Sequence, residues 1–230
     1  MKSQRLLSIV TGILFIIGTA SGITGAALSG SALNSADYLS KTASDPLLFT
    51  FSALLFFIMG ASCAGIGLSM YPVLKRFSPG LAIGSAGFRI IEGVFAMLGF
   101  VILLTILSLG MKFIKADSLN SDIFQISGDM LMSMRRWISV ASLYAWCFGA
   151  LMYYWIFLKT KLVPLWLSVW GIAAIMLALI ANSLDLFQAV DAFSPVNSML
   201  NFPIALQEMV LAVWLIVKGY KKTVIESQSY

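Results

Sequence analysis

The fold is decided by residues 81–109, LAIGSAGFRIIEGVFAMLGFVILLTILSL, which form a long apolar run. Arg89 and Glu92 are the only charged residues in it. A hydrocarbon layer about 30 Å thick is crossed by a helix of about twenty apolar residues, so this segment predicts a transmembrane helix. A charge near the bilayer centre costs roughly 2.5–3.5 kcal/mol on insertion scales. We therefore expect both charged side chains to face a bundle interior and to have partners.

Five further segments are long and apolar enough to cross a membrane. The predicted spans are residues 6–28, 47–70, 81–109, 137–158, 162–184 and 196–217. Of the 230 residues, 60% are hydrophobic and 11% are charged, whereas soluble domains carry about 25% charged residues. The sequence predicts one all-α domain over residues 1–230, a polytopic membrane bundle of six transmembrane helices. A cleaved signal peptide is the less favoured alternative for the first span, which is long for a signal sequence.

The distribution of lysine and arginine predicts the orientation, since these residues are enriched in cytoplasmic loops. With the N-terminus inside, nine lysines and arginines fall on the inner side and five on the outer side, while seven aspartates fall outside. Both termini are therefore predicted to be cytoplasmic. The formal net charge of +5 is explained by this topology, so we expect contacts with membrane lipids and none with nucleic acid.

Residues 110–136 form the longest predicted connection, on the outer side, and mix charged with apolar residues. This pattern indicates a partly helical segment that either lies at the outer surface or extends the fourth span. A lid over a cavity is a further alternative. Asn182 and Asp185 lie at the predicted outer end of the fifth span. Their polar side chains indicate a hydrated helix end or, alternatively, the wall of an outer vestibule.

A charged core is predicted halfway through the membrane. From the inner ends of their spans, Arg89 is about 16 Å deep and Glu208 about 15 Å deep, at 1.5 Å per residue. Glu92 lies on the same helix face as Arg89. We therefore expect spans three and six to be neighbours, with Arg89 bridging Glu208, Glu92 as second partner or as a protonated carboxyl, and Gln207 beside them. Such a cluster fixes helix register, or binds an anion, a cation or a proton.

Signatures of catalysis and of cofactors are missing from the sequence. There is no histidine, and HExxH, GxSxG, GxGD and phosphate-loop motifs are absent, so no metal, cofactor or catalytic residue is assigned. Cys63 and Cys147 are expected to be packing residues. The leading interpretation is a non-enzymatic protein that binds a small ligand, a lipid headgroup or a partner helix. The alternatives are a transporter of a small solute or proton that uses Glu92 or Glu208, and an intramembrane enzyme.

Small residues are concentrated in the first three predicted spans. They include Gly12, Gly18, Gly22, Gly60 and Gly67. Helices in lipid associate through close backbone approach at such residues. Packing within the chain is the favoured interpretation, and a homodimer through the same glycines is the alternative.

Several short motifs resemble the uncharacterised bacterial membrane family known as domain of unknown function 4386. They are Asp37-Tyr38-Leu39, Tyr71-Pro72-Val73-Leu74-Lys75, Phe88-Arg89, Phe148-Gly149, the stretch from Lys159 to Gly171, and Pro203 to Glu208 followed by Trp214-Leu215-Ile216-Val217-Lys218-Gly219. The resemblance covers nearly the whole chain. It implies a multi-span protein of the bacterial inner (plasma) membrane, with an arginine in span three and a glutamate in span six, at Arg89 and Glu208. It implies no activity.

Overall fold

The computed structural model describes residues 2–115, 118–188 and 195–221. These residues form seven helices and no strand. The helices are α1 (Lys2–Leu33), α2 (Tyr38–Ser44), α3 (Pro46–Leu74), α4 (Pro79–Phe113), α5 (Ser118–Thr160), α6 (Leu165–Leu186) and α7 (Pro195–Val217). All except the short α2 are long and apolar enough to cross a membrane, which confirms the predicted all-α class and its six spans.

Residues 110–136 belong mainly to two long helices. The first four complete α4, and residues 118–136 form the first part of α5, which runs without interruption to Thr160. Of the alternatives left open by the sequence, the structure therefore has the one in which this segment extends the fourth span. At about 1.5 Å per residue, α5 is about 65 Å long and projects beyond a hydrocarbon layer.

The short helix α2 was not predicted. It precedes α3, whose start is fixed by Pro46 in the first helical turn and by the carboxylate of Asp45, which accepts a hydrogen bond from Leu48 N at 3.0 Å. Tyr38 and Leu39 are buried, and the Leu39 carbonyl lies 2.5 Å from the position of a Cβ added to Gly110. Glycine in α4 therefore lets α2 dock against the end of that helix.

The six long helices form a closed ring. Each packs against two neighbours, in the order α1, α3, α4, α5, α6, α7 and back to α1. The ring closes where Arg5 of α1 donates hydrogen bonds to the carbonyls of Leu215 at 3.2 Å and Val217 at 3.0 Å. These bonds place the start of α1 and the end of α7 together. We call this the inner end, and the end with Leu33 and Pro46 the outer end, following the predicted orientation.

The outside of the ring is apolar, and side chains fill the inner half of its centre more completely than the outer half. Large exposed hydrophobic side chains such as Leu47, Phe51, Val101 and Val213 face outward, as expected where lipid is the solvent. Toward the inner end, the centre is packed with buried aromatic side chains. We call this group the aromatic plug; it consists of Phe15, Tyr153, Tyr154, Phe157 and Tyr220.

Candidate functional site

Arg89 and Glu92 form an ion pair in the interior of the ring. Arg89 Nη1 lies 3.0 Å from Glu92 Oε2, one turn away on α4, and the two residues are 2% and 6% exposed. Among the described residues, Arg89 Nε and Nη1 and Glu92 Oε2 have no hydrogen-bond partner. The contact is therefore electrostatic, without a directed hydrogen bond, and leaves hydrogen-bonding capacity in the middle of the bundle.

Glu208 is held by a different partner from the one expected. Its Oε1 accepts a hydrogen bond from Trp146 Nε1 at 3.0 Å, and among the described residues it has no ion pair with Arg89. The prediction that Arg89 bridges Glu208 was therefore wrong. The reason is the order of the ring, in which α4 and α7 lie on opposite sides. Glu92 is one turn from Arg89, so it supplies the nearer carboxylate.

Two glycines make room for Arg89 between its neighbours. A Cβ at Gly67 of α3 would lie 2.9 Å from Arg89 Cβ, and one at Gly149 of α5 would lie 3.4 Å from Arg89 Cγ. The guanidinium reaches across to α1, where Arg89 Cζ lies 5.8 Å from the centre of the Phe15 ring. Glycines on both flanking helices thus let a long cationic side chain extend into the centre of the ring.

Gln207 makes contacts that connect three helices. It is completely buried, its Nε2 donates to the carbonyl of Leu167 on α6 at 3.0 Å, and its Oε1 accepts a hydrogen bond from the Tyr154 hydroxyl on α5. Both ends of the amide are therefore occupied by protein groups. This arrangement fixes α7 against α5 and α6, next to Glu208.

A cavity of about 590 Å³ lies in the outer half of the ring. We call it the outer vestibule. Its wall comes from Asn34, directly after α1, and from helices α3 to α7. The lining residues are Asn34, Phe56, Met59, Phe95, Ala96, Gly99, Leu103, Met132, Arg135, Arg136, Ile138, Ser139, Ser142, Leu143, Asn182, Asp185, Asn197 and Asn201. The volume is within the range of about 300–1,000 Å³ typical of ligand pockets.

Asn182 and Asp185, the two outer vestibule candidates, both contribute to this wall. They are 1% and 4% exposed and lie in the last turn or two of α6, which ends at Leu186. Arg136 Nη2 lies 3.0 Å from Asp185 Oδ1 and donates to the Asp185 carbonyl at 3.3 Å. Asn182 Nδ2 lies 3.7 Å from Cys147 Sγ. The charge of Asp185 is thereby neutralised within the wall.

Arg135 differs from its neighbour in having no acidic partner. Within the part of the chain that the structure describes, no carboxylate lies within ion-pair distance of its guanidinium. Among its described lining residues, the outer vestibule therefore has one cation in excess of the carboxylates. The other half of the wall is apolar and includes Phe56, Met59, Phe95 and Leu143.

Sequence reasoning had not singled out Arg135, Ser142 or Trp146 as site residues. All three lie on one stripe of α5, at the three- and four-residue spacing of a helix face, together with Ser139. Ser142 lines the vestibule, and its Oγ donates to the Glu92 carbonyl at 3.3 Å. A search for polar residues at helical spacing in the fourth span would have found the stripe.

Metal binding finds no support in the described ranges 2–115, 118–188 and 195–221. No three His, Cys, Asp or Glu side chains are grouped there as ligands of a metal ion would be. Cys63 and Cys147 are both free and buried. The polar groups that are brought together are instead cations, carboxylates, carboxamides and hydroxyls, which bind anions, protons and polar organic groups.

Comparison with known proteins identifies one family. The model of a family described as Domain of unknown function (DUF4386) matches residues 10–219, which cover most of the chain. No curated protein and no solved structure matches the chain.

Proposed function

Because the chain belongs to the family Domain of unknown function (DUF4386), whose description assigns no activity, we propose a function from the site itself. The protein is a non-enzymatic, multi-pass protein of the bacterial plasma membrane. It binds a small amphiphile with an anionic head in the outer vestibule. The same chemistry belongs to an anionic membrane lipid and to a free amphiphile.

The observation that carries this proposal is the excess cation at Arg135 in the wall of a half-apolar cavity. The guanidinium presents N–H donors in a planar fork that matches carboxylate and phosphate oxygens. Asn34, Asn182 and Asn201 contribute carboxamide groups, which carry neutral donors and acceptors, to the same wall. An anionic head is thus complementary to the polar part of the wall, and a cationic one would be repelled.

The apolar part of the wall favours a ligand with a hydrocarbon body. Phe56, Met59, Phe95 and Leu143 line it from α3, α4 and α5. Burial of apolar area contributes about 25 cal/mol per Å², so a hydrocarbon chain adds affinity that a small inorganic anion lacks. We therefore expect an anionic amphiphile to bind more tightly than phosphate.

The deeper charged cluster has a structural role in this proposal. Arg89 and Glu92 neutralise each other, Trp146 binds Glu208, and Gln207 joins three helices. Their contacts fix the helices that carry the vestibule wall. Breaking one partner of such a buried pair leaves an uncompensated charge, which costs about 3–5 kcal/mol.

A second candidate function is transport, with Glu92 or Glu208 as a proton or solute site. It is favoured by the closed ring and by Ser142, which connects the vestibule wall to Glu92. Transport requires an alternate state in which the aromatic plug opens toward the inner end. Uptake of labelled decanesulfonate into proteoliposomes, beyond that of empty liposomes, is the measurement that distinguishes a carrier from a binding protein.

The binding proposal is tested by the thermal stability of the purified protein in a nonionic detergent, since a ligand of the folded state raises Tm. Decanesulfonate is expected to raise Tm, and decanol and inorganic phosphate are expected to raise it less. Arg135→Gln removes hydrogen bonds to a charged group worth about 1.5–3 kcal/mol, so affinity should fall about 10- to 150-fold. Lys112→Gln, an exposed cation outside the vestibule, is the matched control.

Two outcomes would contradict the proposal. One is equal stabilisation by decanesulfonate in the wild type and in Arg135→Gln. The other is a stronger effect of a cationic amphiphile such as decyltrimethylammonium. Nanodiscs distinguish the sources of the ligand: if phosphatidylglycerol, compared with phosphatidylcholine, competes with decanesulfonate, the natural ligand is a lipid. Without competition it is a free amphiphile.

A further inference from the structure

We propose that the outer vestibule and the charged cluster beneath it act as a linked pair of sites, in which binding of an anion at Arg135 promotes uptake of a proton by Glu208. The inference rests on the proposed function, because it needs an anion in the vestibule. The step moves one proton from solution to a carboxylate oxygen of Glu208. No other bond is made or broken.

The charges of the cluster make Glu208 the group that takes the proton. Arg89, Glu92 and Glu208 together carry one net negative charge when all three are ionised. Arg89 contacts Glu92 at 3.0 Å, whereas Glu208 has no cation within ion-pair distance among the described residues and accepts a hydrogen bond from the neutral indole of Trp146. An ionised carboxylate in a low-dielectric interior is unfavourable without a cation in contact. Of the two carboxyls, Glu208 is therefore the one without a cation in contact among the described residues.

Titratable groups face Glu208 from three other helices of the ring. The titratable or charged side chains around it are Arg89 and Glu92 from α4, Cys63 from α3, and Cys147, Tyr153 and Tyr154 from α5. Only Arg89 is a cation, and Glu92 balances it. Arg5 of α1 and Asp185 of α6 lie at opposite ends of the ring.

The stripe on α5 connects the two sites. It starts at Arg135 in the vestibule wall, passes Ser142, which binds the Glu92 carbonyl at 3.3 Å, and ends at Trp146, which binds Glu208 at 3.0 Å. Arg135 and Trp146 are about 16 Å apart along the helix. An anion bound at Arg135 therefore adds a negative charge on the same face of the helix that holds Glu208.

The sign of the coupling follows from electrostatics. A bound anion repels a charged Glu208 and favours its protonated form, and a proton on Glu208 favours the anion by the same factor. If the rise of about 16 Å from Arg135 to Trp146 is taken as the separation of the anion from Glu208, Coulomb's law with an effective dielectric constant of about 20 gives a coupling of about fivefold. The affinity for an anion should therefore rise about fivefold as pH falls through the titration of Glu208.

The test measures decanesulfonate affinity by isothermal titration in nonionic detergent from about pH 5 to about pH 8, where perturbed carboxyl groups titrate. The sulfonate keeps its charge over this range, so pH dependence belongs to the protein. Wild-type affinity should rise about fivefold toward low pH, and Glu208→Gln should abolish the dependence. Asp122→Asn, an exposed carboxylate with no part in either site, should retain it.

A second measurement uses the wild type alone, in case Glu208→Gln does not fold. Isothermal titrations near the midpoint of the pH dependence, repeated in buffers of different ionisation enthalpy, measure the protons taken up on binding. They should show net proton uptake with decanesulfonate and none with decanol. Affinity independent of pH, or equal pH dependence in wild type and Glu208→Gln, would overturn the inference while leaving the proposed function intact. If decanesulfonate does not bind at any pH, the proposed function fails and the linkage fails with it.

Discussion

At the scale of single residues, Tyr38 and Asp129 hold the short helix α2 against α5. The Tyr38 hydroxyl donates to Asp129 Oδ1 at 2.8 Å, and a Cβ at Gly128 would collide with that hydroxyl. Burial raises the pKa of Tyr38 well above its usual range, and the hydrogen bond to Asp129 raises it further. The neutral phenol is thus the form that fits the folded structure.

This pair predicts a loss of stability in alkaline solution. Because the pKa of Tyr38 is higher in the folded than in the unfolded state, its contribution is complete below about pH 10 and is lost as pH rises through the folded-state value. Unfolding followed by tryptophan fluorescence should show a decline above about pH 10 in the wild type and a smaller decline in Tyr38→Phe. Tyr71→Phe, at the inner end, should decline as the wild type does; equal declines in all three would contradict the assignment.

The same scale shows why the charged core could be only partly predicted. Arg89, Glu92 and Glu208 stand out in the sequence because charge in an apolar run is costly and needs burial. Their partners depend on which helices are adjacent, and hydropathy contains no information on the order of a ring. Trp146 looked like an ordinary apolar residue, although its indole N–H is the donor to Glu208.

At the scale of elements, α3 and α4 approach each other most closely where glycine meets glycine. A Cβ at Gly93 would lie 2.5 Å from the Gly60 carbonyl oxygen, and a Cβ at Gly60 would lie 2.5 Å from that of Gly93. Without a hydrophobic drive between helices in lipid, this backbone contact provides much of the attraction. The glycines predicted from sequence to pack helices within the chain include Gly60.

We expect Gly93→Ala to separate these two helices. The extra methyl group overpacks the contact and should lower the free energy of unfolding by about 1–3 kcal/mol. Gly87→Ala on the same helix is the matched control, because no atom lies within 4 Å of its added Cβ. It should be neutral, or more stable by up to about 1 kcal/mol through helix propensity. Equal stability of both variants in a denaturant titration would refute the contact.

Mean hydropathy predicts only the second part of α5. Residues 118–136 mix charged and apolar residues, so a search for apolar runs ends the fourth span near Trp137. The helix continues because no proline interrupts it, with Ile123, Ile126 and Met130 exposed and Phe124 packed on the core. Amphipathic periodicity, rather than mean hydropathy, indicates this part of the helix.

At the scale of the whole molecule, the closed ring of helices surrounds the outer vestibule at one end and the aromatic plug at the other. The glycines of α1 bring the ring together: a Cβ at Gly12 would lie 2.6 Å from the Ala212 carbonyl on α7, and one at Gly25 would lie 3.2 Å from the Ser52 carbonyl on α3. The aromatic plug fills the inner half, and the vestibule occupies the outer half. The side of the membrane that faces the vestibule therefore decides which ligands reach it.

Orientation is tested by cysteine labelling in intact cells. The excess of lysine and arginine at the inner end predicts that this end is cytoplasmic. Lys112 and Lys159 are exposed near the outer and inner ends, whereas the two native cysteines are buried. A membrane-impermeant maleimide should label Lys112→Cys in intact cells and Lys159→Cys only after permeabilisation, with little labelling of the wild type. The reverse pattern would place the vestibule in the cytoplasm, where its anionic ligand would come from the cytoplasmic leaflet or the cell interior.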